Sequence, residues 1–273
     1  MNIYKIIIAA VCTIVPYSTI SIIYDYSLSK KYEAAKSENQ SKPYEPGLHI
    51  FSFGTDIKEK GMALLLQSSP YKITMLGERA QFQDLRDKFY SMRLYLVQHK
   101  LHNSKDLILF TDGYDTVFTP GPHDIATKFK AFGKPLVFSA ETNCYPYNTP
   151  ACINKDAYPK SPTIFRYVNS GGYIGEAWAV YKMLSACVAE YNQDTNDQYL
   201  ANMFFLDNQE WVALDYNQEI FSTLFKTKFE DYLYDAETNQ ITNLITNSHP
   251  VILHGNGKHE KLLRKIYAQY KKQ

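Results

Sequence analysis

The chain has 273 residues, enough for one large domain, and its 29 basic and 28 acidic residues leave a net charge of +1. That balance lacks the basic excess of a general phosphate binder, so no nucleic-acid partner is expected. Aromatic residues reach 15%, with 23 tyrosines, which suits sugar or nucleobase surfaces and ordinary packing alike. In chain order, the first element is the uncharged, mostly apolar run Ile6–Tyr24. Its length approaches the ~20 residues of a bilayer-spanning helix. Residues 1–24 are therefore expected to form a signal anchor behind a short tail with Lys5, giving a type II membrane-anchored protein with a luminal body in the ER or Golgi. A cleaved signal followed by secretion, and a buried core element, are the alternatives. The segment 25–46, rich in Lys, Ser and Glu, is expected to be a stem or linker.

Residues 47–273 read as the folded body. Gly47–Gly54 predicts a strand, Glu59–Ser69 a helix, Tyr71–Gly77 a second strand, and Asp84–Lys100 a helix with apolar residues at helical spacing. Asp106–Thr111 predicts a third strand. Pro122–Phe132 predicts a helix opening on Pro-His-Asp, and Lys134–Glu141 a fourth strand. This alternation predicts an α/β fold with a largely parallel sheet, whose ligand binds beyond the carboxyl ends of the strands. Cys144 and Cys152 share the loop NCYPYNTPAC. A disulfide in an oxidising lumen and two free thiols both remain open there, while a zinc pair lacks a CxxC or a neighbouring His. Cys12 and Cys187 read as packed thiols.

Four stretches carry candidate chemistry. In LILFTDGYDTVFTPGP, Asp112 and Asp115 directly follow the third strand. Two adjacent carboxylates repel, so a cation would offset their cost, and Mn²⁺ or Mg²⁺ suits oxygen ligands shared with substrate phosphates. A solvated strand-end turn is the structural alternative. In RYVNSGGYIGEA, Gly171, Gly172 and Gly175 are expected just before a helix, where bare backbone can approach a ligand. Asp194 and Asp197 fall at a helix start, which favours acids on stability grounds alone. PVILHGNGK ends a strand at His254, followed by Gly255, Asn256 and Gly257, a metal ligand beside a phosphate-contacting loop.

The order FTDGYDTVFTPGP, LVFSAE, CYP, NSGGYIG, DTNDQYL, LDYNQEIFSTL, HGNGK resembles the glycosyltransferase domain of procollagen lysyl hydroxylases, over about Gly47 to Tyr267. The resemblance implies a GT-A-like α/β fold: a single Rossmann-like mixed sheet flanked by helices, here preceded by the N-terminal transmembrane helix. It implies a UDP-sugar donor, Mn²⁺ as metal and a collagen-like protein as acceptor. Asp112, Asp115 and His254 match the metal ligands. Asn169, Ser170, Gly171 and Gly172 match the segment along the donor sugar, with Thr111 ahead of the acid pair. Asn256, Gly257 and Lys258 match the phosphate side, with Lys261 an equal alternative to Lys258. Asp197, with Asp194 as companion, matches the acidic run near the transferred sugar. The chain departs from the pattern in three places. Tyr145 stands where the family often has Trp, the acidic run is interrupted as DTND, and RDKFYSMR replaces a glycine-rich GGGQK, so that Lys88 aligns with a diphosphate-contacting lysine. Few residues follow His254, so the resemblance is not expected to extend to lysine hydroxylation.

The implied reaction is transfer of glucose to galactosyl-hydroxylysine, with galactose transfer to hydroxylysine second. Asp197 would accept a proton in an inverting reaction or assist electrostatically in a retaining one. A UDP-sugar-binding module that has lost transfer is the alternative. A two-metal phosphohydrolase ranks last, for want of further ligands near Asp112 and Asp115.

Overall fold

The computed structural model describes residues 17–189 and 196–271, with side chains from residue 24 onward except that of Lys155. Most of the apolar run Ile6–Tyr24 therefore lies outside the described residues, and among these no helix is long and apolar enough to cross a membrane. The segment expected as a stem is not an extended linker. Helix α1, Tyr17–Gln40, covers most of it. Its Tyr32, Ala35 and Asn39 are almost fully buried. Spaced 3 and 4 apart, they form one stripe of a helix whose other described side chains are exposed or partly exposed. The polar composition that suggests a linker is the composition of that solvated face.

The predicted strands and helices of the body form with small shifts at their ends. They are β1 Leu48–Phe53, α2 Lys60–Ser68, β2 Ile73–Leu76, α3 Asp87–Gln98, β3 Leu107–Asp112, β4 Thr116–Phe118, α4 Ile125–Ala131 and β5 Leu136–Glu141. After them come α5 Pro150–Ile153, β6 Tyr167–Glu176, α6 Ala177–Ala189, α7 Asp197–Asp207, β7 Val212–Asp215 and β8 Phe221–Thr223. The chain closes with β9 Tyr232–Asp235, β10 Gln240–Asn243, β11 Ile252–His254 and α8 Glu260–Tyr270. Asp124 caps α4 by accepting from the Thr127 N–H, which accounts for the Pro-His-Asp opening.

The central sheet has the order β2-β1-β3-β6-β5-β7. Five strands share one direction and β6 runs against β3 and β5. The antiparallel β6 makes the sheet mixed, and with its flanking helices it fits the GT-A-like arrangement. The single sheet expected from sequence is corrected, because a second sheet β4-β11-β8 and a hairpin β9-β10 stand beside it. β3, β5 and β6 are buried along nearly their whole lengths, and their apolar runs show no alternation.

The glycines of NSGGYIG lie inside β6, and helix α6 opens at Ala177 directly after it, as expected. A Cβ on Gly171 would stand 2.2 Å from His254 Cε1, and one on Gly172 would stand 2.7 Å from the Phe221 ring. The glycines are there because other side chains fill the space above them. Between Phe138 and Ser139 the partner on β6 jumps from Tyr173 to Asn169, so Ser170–Gly172 bulge out of the pairing with β5. That bulge lies at the edge formed by the carboxyl ends of β1, β3 and β5.

Candidate functional site

Asp112 is the last residue of β3. The Thr116 hydroxyl donates to the Asp112 carbonyl and closes the turn that carries Asp115. β4 then pairs antiparallel with β11 in a register that sets Thr116 opposite His254. The Gly255 N–H donates to the Asp115 carbonyl at 2.7 Å. This pairing brings the imidazole to the acids. His254 Nε2 lies 3.2 Å from Asp115 Oδ2 and 3.9 Å from Asp112 Oδ2. One ligand atom from each of the three residues lies within 4.8 Å of the others.

A relay of amides fixes the imidazole. Asn169 Oδ1 accepts from the Gly171 N–H at 3.1 Å and faces His254 Nδ1 at 3.1 Å. Its Nδ2 donates to Glu141 Oε1 at 3.2 Å. The amide therefore presents its oxygen to the ring, Nδ1 carries a proton, and Nε2 is the ring nitrogen turned toward the acids. Glu141 also receives Gln198 Nε2 at 3.1 Å and Asn256 Nδ2 at 2.9 Å. The oxygens of those two amides accept from the Ser170 and Phe225 N–H groups. Three amides, each oriented by a backbone donor, thus converge on one buried carboxylate. Two carboxylates and an imidazole with a fixed tautomer form a donor set that fits Mn²⁺ or Mg²⁺.

Beside the acids lies a buried ammonium. Lys88 on α3 reaches Asp112 Oδ1 at 3.1 Å, pairs with Asp197, and approaches the Ser170 carbonyl at 3.4 Å. Asp197 opens α7 behind the Asn196 cap and accepts from the Ser170 hydroxyl at 2.5 Å. The bulge in β6 leaves the Ser170 and Gly171 backbone groups free for Gln198, Lys88 and Asn169.

Burial works against charge throughout this cluster, and the partners decide the outcome. For Lys88, Asp112 and Asp197 outweigh burial and raise the pKa further above the usual lysine value. For His254 burial is outweighed by Asp115, Asp112 and Glu141, so its pKa rises. Burial of Asp115 is outweighed by His254 and its pKa falls. For Glu141 burial wins over Asn169, His254 and Asn256, and the carboxyl is pushed up to about 7.

These groups line a cleft of about 770 Å³. Of the residues singled out in the sequence, the cleft wall includes Lys88, Asp112, Asp115, Asn169, Ser170, Gly171, Asp197, His254, Asn256, Gly257, Lys258 and Tyr145. Lys261 is exposed and does not line it. Two residues expected along the donor stand elsewhere. Thr111 is wholly buried within β3, and Gly172 packs against Phe221, so neither lines the cleft. Asp194 lies outside the described residues. Cys144 and Cys152 form a disulfide, and the loop between them carries Tyr145 and Tyr147 to one lip of the cleft. Sequence reasoning missed Glu141, although it ends β5 as Asp112 ends β3. It also missed Gln198 as a site residue, and Tyr114, which lies between the two acids.

Residues 65–273 match the family described as the PLOD GT domain. An uncharacterized protein of Acanthamoeba polyphaga mimivirus is 32% identical over 174 residues, covering 62% of this chain and 36% of its own length. The multifunctional procollagen lysine hydroxylase and glycosyltransferase LH3 of Homo sapiens is 31% identical over 156 residues, 55% of this chain and 20% of its own. The procollagen-lysine,2-oxoglutarate 5-dioxygenase 1 of Bos taurus is 35% identical over 239 residues, 82% of this chain and 31% of its own. The match thus spans between 20% and 36% of the length of these relatives.

Proposed function

Because the chain belongs to the PLOD GT domain family, we propose that it is a metal-dependent glycosyltransferase that moves a hexose from a UDP-sugar to a collagen-like acceptor. Glucose transfer to galactose already linked to hydroxylysine is the favoured form, and galactose transfer to hydroxylysine the second. The observation that carries this reading is the meeting of Asp112, Asp115 and His254 in a cleft within the ~300–1,000 Å³ range of small-molecule sites.

Bound to those three residues, Mn²⁺ or Mg²⁺ would supply Lewis-acid stabilisation of the leaving diphosphate. Asp112 and Asp115 give the anionic part of the ligand set. His254 gives a neutral nitrogen, and Asn169 keeps its ring from turning. Lys88 holds a buried positive charge beside Asp112, suited to stabilising charge that builds on a departing phosphate. Ser170 and Lys88 hold the Asp197 carboxylate at the cleft wall. From there it can orient an acceptor hydroxyl or stabilise a cationic sugar transition state. Tyr145 and Tyr147, both exposed and in edge-to-face contact at 5.9 Å, offer flat apolar faces to a sugar ring.

The test is incubation of the purified protein with a panel of UDP-sugars and Mn²⁺, with and without hydroxylysine-containing collagen peptides. Release of UDP identifies the donor, and a hexose increment in peptide mass identifies the acceptor. Absence of UDP release from every donor would overturn the reading.

A further inference from the structure

Helix α1 lies outside the stretch matched to the family, yet it packs into the core of the domain. Tyr32 and Ala35 join Met62, Leu65 and Leu66 of α2 in one apolar cluster. The Asn39 amide bonds both the N–H and the C=O of Ile73, taking the place of a neighbouring strand on the sheet edge β2. The Lys42 ammonium, just past the helix, caps the open carbonyls of Leu66 and Ser69 at the end of α2.

The same helix grips the loop that follows β2. The Tyr32 hydroxyl and the Lys36 ammonium both donate to Glu78, and Glu33 pairs with Arg79. Glu78 is flanked by two residues in the left-handed region, Gly77 at φ +78° and Arg79 at φ +57°. A non-glycine residue holds that conformation only where its surroundings enforce it. The grip of α1 on either side of this turn is such an enforcement.

From the loop the contacts run to the cleft. The Arg79 N–H donates to the Thr55 carbonyl at 3.1 Å. The Thr55 and Asp56 N–H groups donate to the Tyr114 hydroxyl at 2.7 and 2.9 Å, and Tyr114 lies between Asp112 and Asp115. Farther along the same loop, Phe82 and Leu85 line the cleft, each about half exposed. A second route passes through α2. A Cβ on Gly61 would fall 1.5 Å from the Tyr114 carbonyl, so the helix that α1 covers also abuts the backbone of the acid turn.

We propose that α1 is a clasp of the catalytic domain and that Tyr32 and Lys36 are positioning residues, which set the 77–86 loop, and through Thr55 and Tyr114 the donor side of the cleft, by holding Glu78. Only the last link, to donor affinity, rests on the glycosyltransferase reading. The grip itself is read independently of any reaction.

The experiment uses the full chain as wild type, Tyr32→Phe, Glu78→Gln and the double variant, with two readouts. In hydrogen exchange followed by mass spectrometry, amides 78–86 exchange at least fivefold faster in each single variant and no faster still in the double one, while the β3 and β5 amides keep wild-type rates. In titrations with UDP and Mn²⁺, affinity weakens three- to tenfold, and KM for the donor rises by the same factor with kcat unchanged within twofold. Unchanged exchange at 78–86 overturns the proposal. So does an equal rise across the whole domain, which is what a merely structural role of Tyr32 would give. If wild-type protein binds no UDP, the glycosyltransferase reading fails and the exchange data still decide the clasp. If Tyr32→Phe does not fold, Lys36→Met, at a partly exposed position, replaces it in the same two readouts.

Discussion

Gly171→Ala tests the metal cluster with one methyl group. The added Cβ would stand 2.2 Å from His254 Cε1, 2.9 Å from His254 Nδ1 and 2.6 Å from Asp112 Oδ2, where ordinary contact begins at 3.4 Å. The imidazole would have to retreat by about 1.2 Å and the carboxylate by about 0.8 Å. Metal–ligand bonds tolerate displacements of only ~0.2 Å, so two of the three ligands would leave bonding range together. Disturbing a partner of a ligand costs ~10–100-fold in affinity, and displacing the ligands themselves costs more. Mn²⁺ affinity measured by calorimetry or EPR should therefore fall at least ~100-fold. The fold should lose about 1–3 kcal/mol, as for other overpacked interiors, read as a drop of several degrees in Tm. Gly133→Ala is the control, because its glycine has φ +62° with nothing within 4 Å of the added atom. It should cost about 1–2 kcal/mol of backbone strain and leave metal affinity unchanged. Mn²⁺ affinity within threefold of wild type in Gly171→Ala would refute the cluster as the metal site.

Three further outcomes follow from the same geometry. Saturating Mn²⁺ should stabilise the protein by about 2.7 kcal/mol at a hundred times its Kd, and Asp112→Ala should abolish both that rise in Tm and Mn²⁺-dependent UDP release; a wild-type rise in the variant would remove Asp112 from the ligand set. Asp197→Asn should keep UDP affinity within a few fold and lose hexose transfer at least ~100-fold, while Tm falls because the buried Lys88 ammonium keeps only Asp112 as ionic partner; unchanged transfer would take Asp197 out of the chemistry. The Glu141 pKa is raised from 4.5 to about 7, so its stability contribution is complete below pH ~4.5 and lost as pH rises through ~7. With chelator present, unfolding of wild type against Glu141→Gln should show a pH-dependent difference of roughly 3 kcal/mol across that window, and parallel curves would show that the carboxyl does not titrate there.

What could be read from the sequence depended on whether the cause was local. Asp112 and Asp115 were legible because a strand-end rule needs only the strand and the residues after it. The same rule, applied to LVFSAE, reaches Glu141, whose role as the meeting point of three amides depends on residues far along the chain. Strand β4 has three residues and no periodic signal, yet its register with β11 is what carries His254 to the acids. The glycines of β6 were legible as lying just before a helix, but their reason was not, because it is the bulk of His254 and Phe221 above them. Helix α1 was hidden by its exposed face, since three buried side chains do not change the composition of residues 25–40.

The charges in the cleft explain why these parts belong together. Asp112, Asp115, Asp197 and Glu141 bring four carboxyl groups to one small region, and among the described residues the buried ammonium facing them is Lys88 alone. Set against these four carboxyl groups, Lys88 and His254 are the basic side chains in contact with them among the described residues, so acids outnumber bases two to one. Carboxylates at this spacing repel by an amount that grows as water is excluded. A folded domain would not keep them together for stability, because an apolar cluster of the same volume would serve better. That excess has the sign that a dication would offset. The donor set, the Asn169-held ring of His254 and the bulge that brings Ser170 and Gly171 to the cleft wall are then one construction: a cluster of acids arranged around room for a cation.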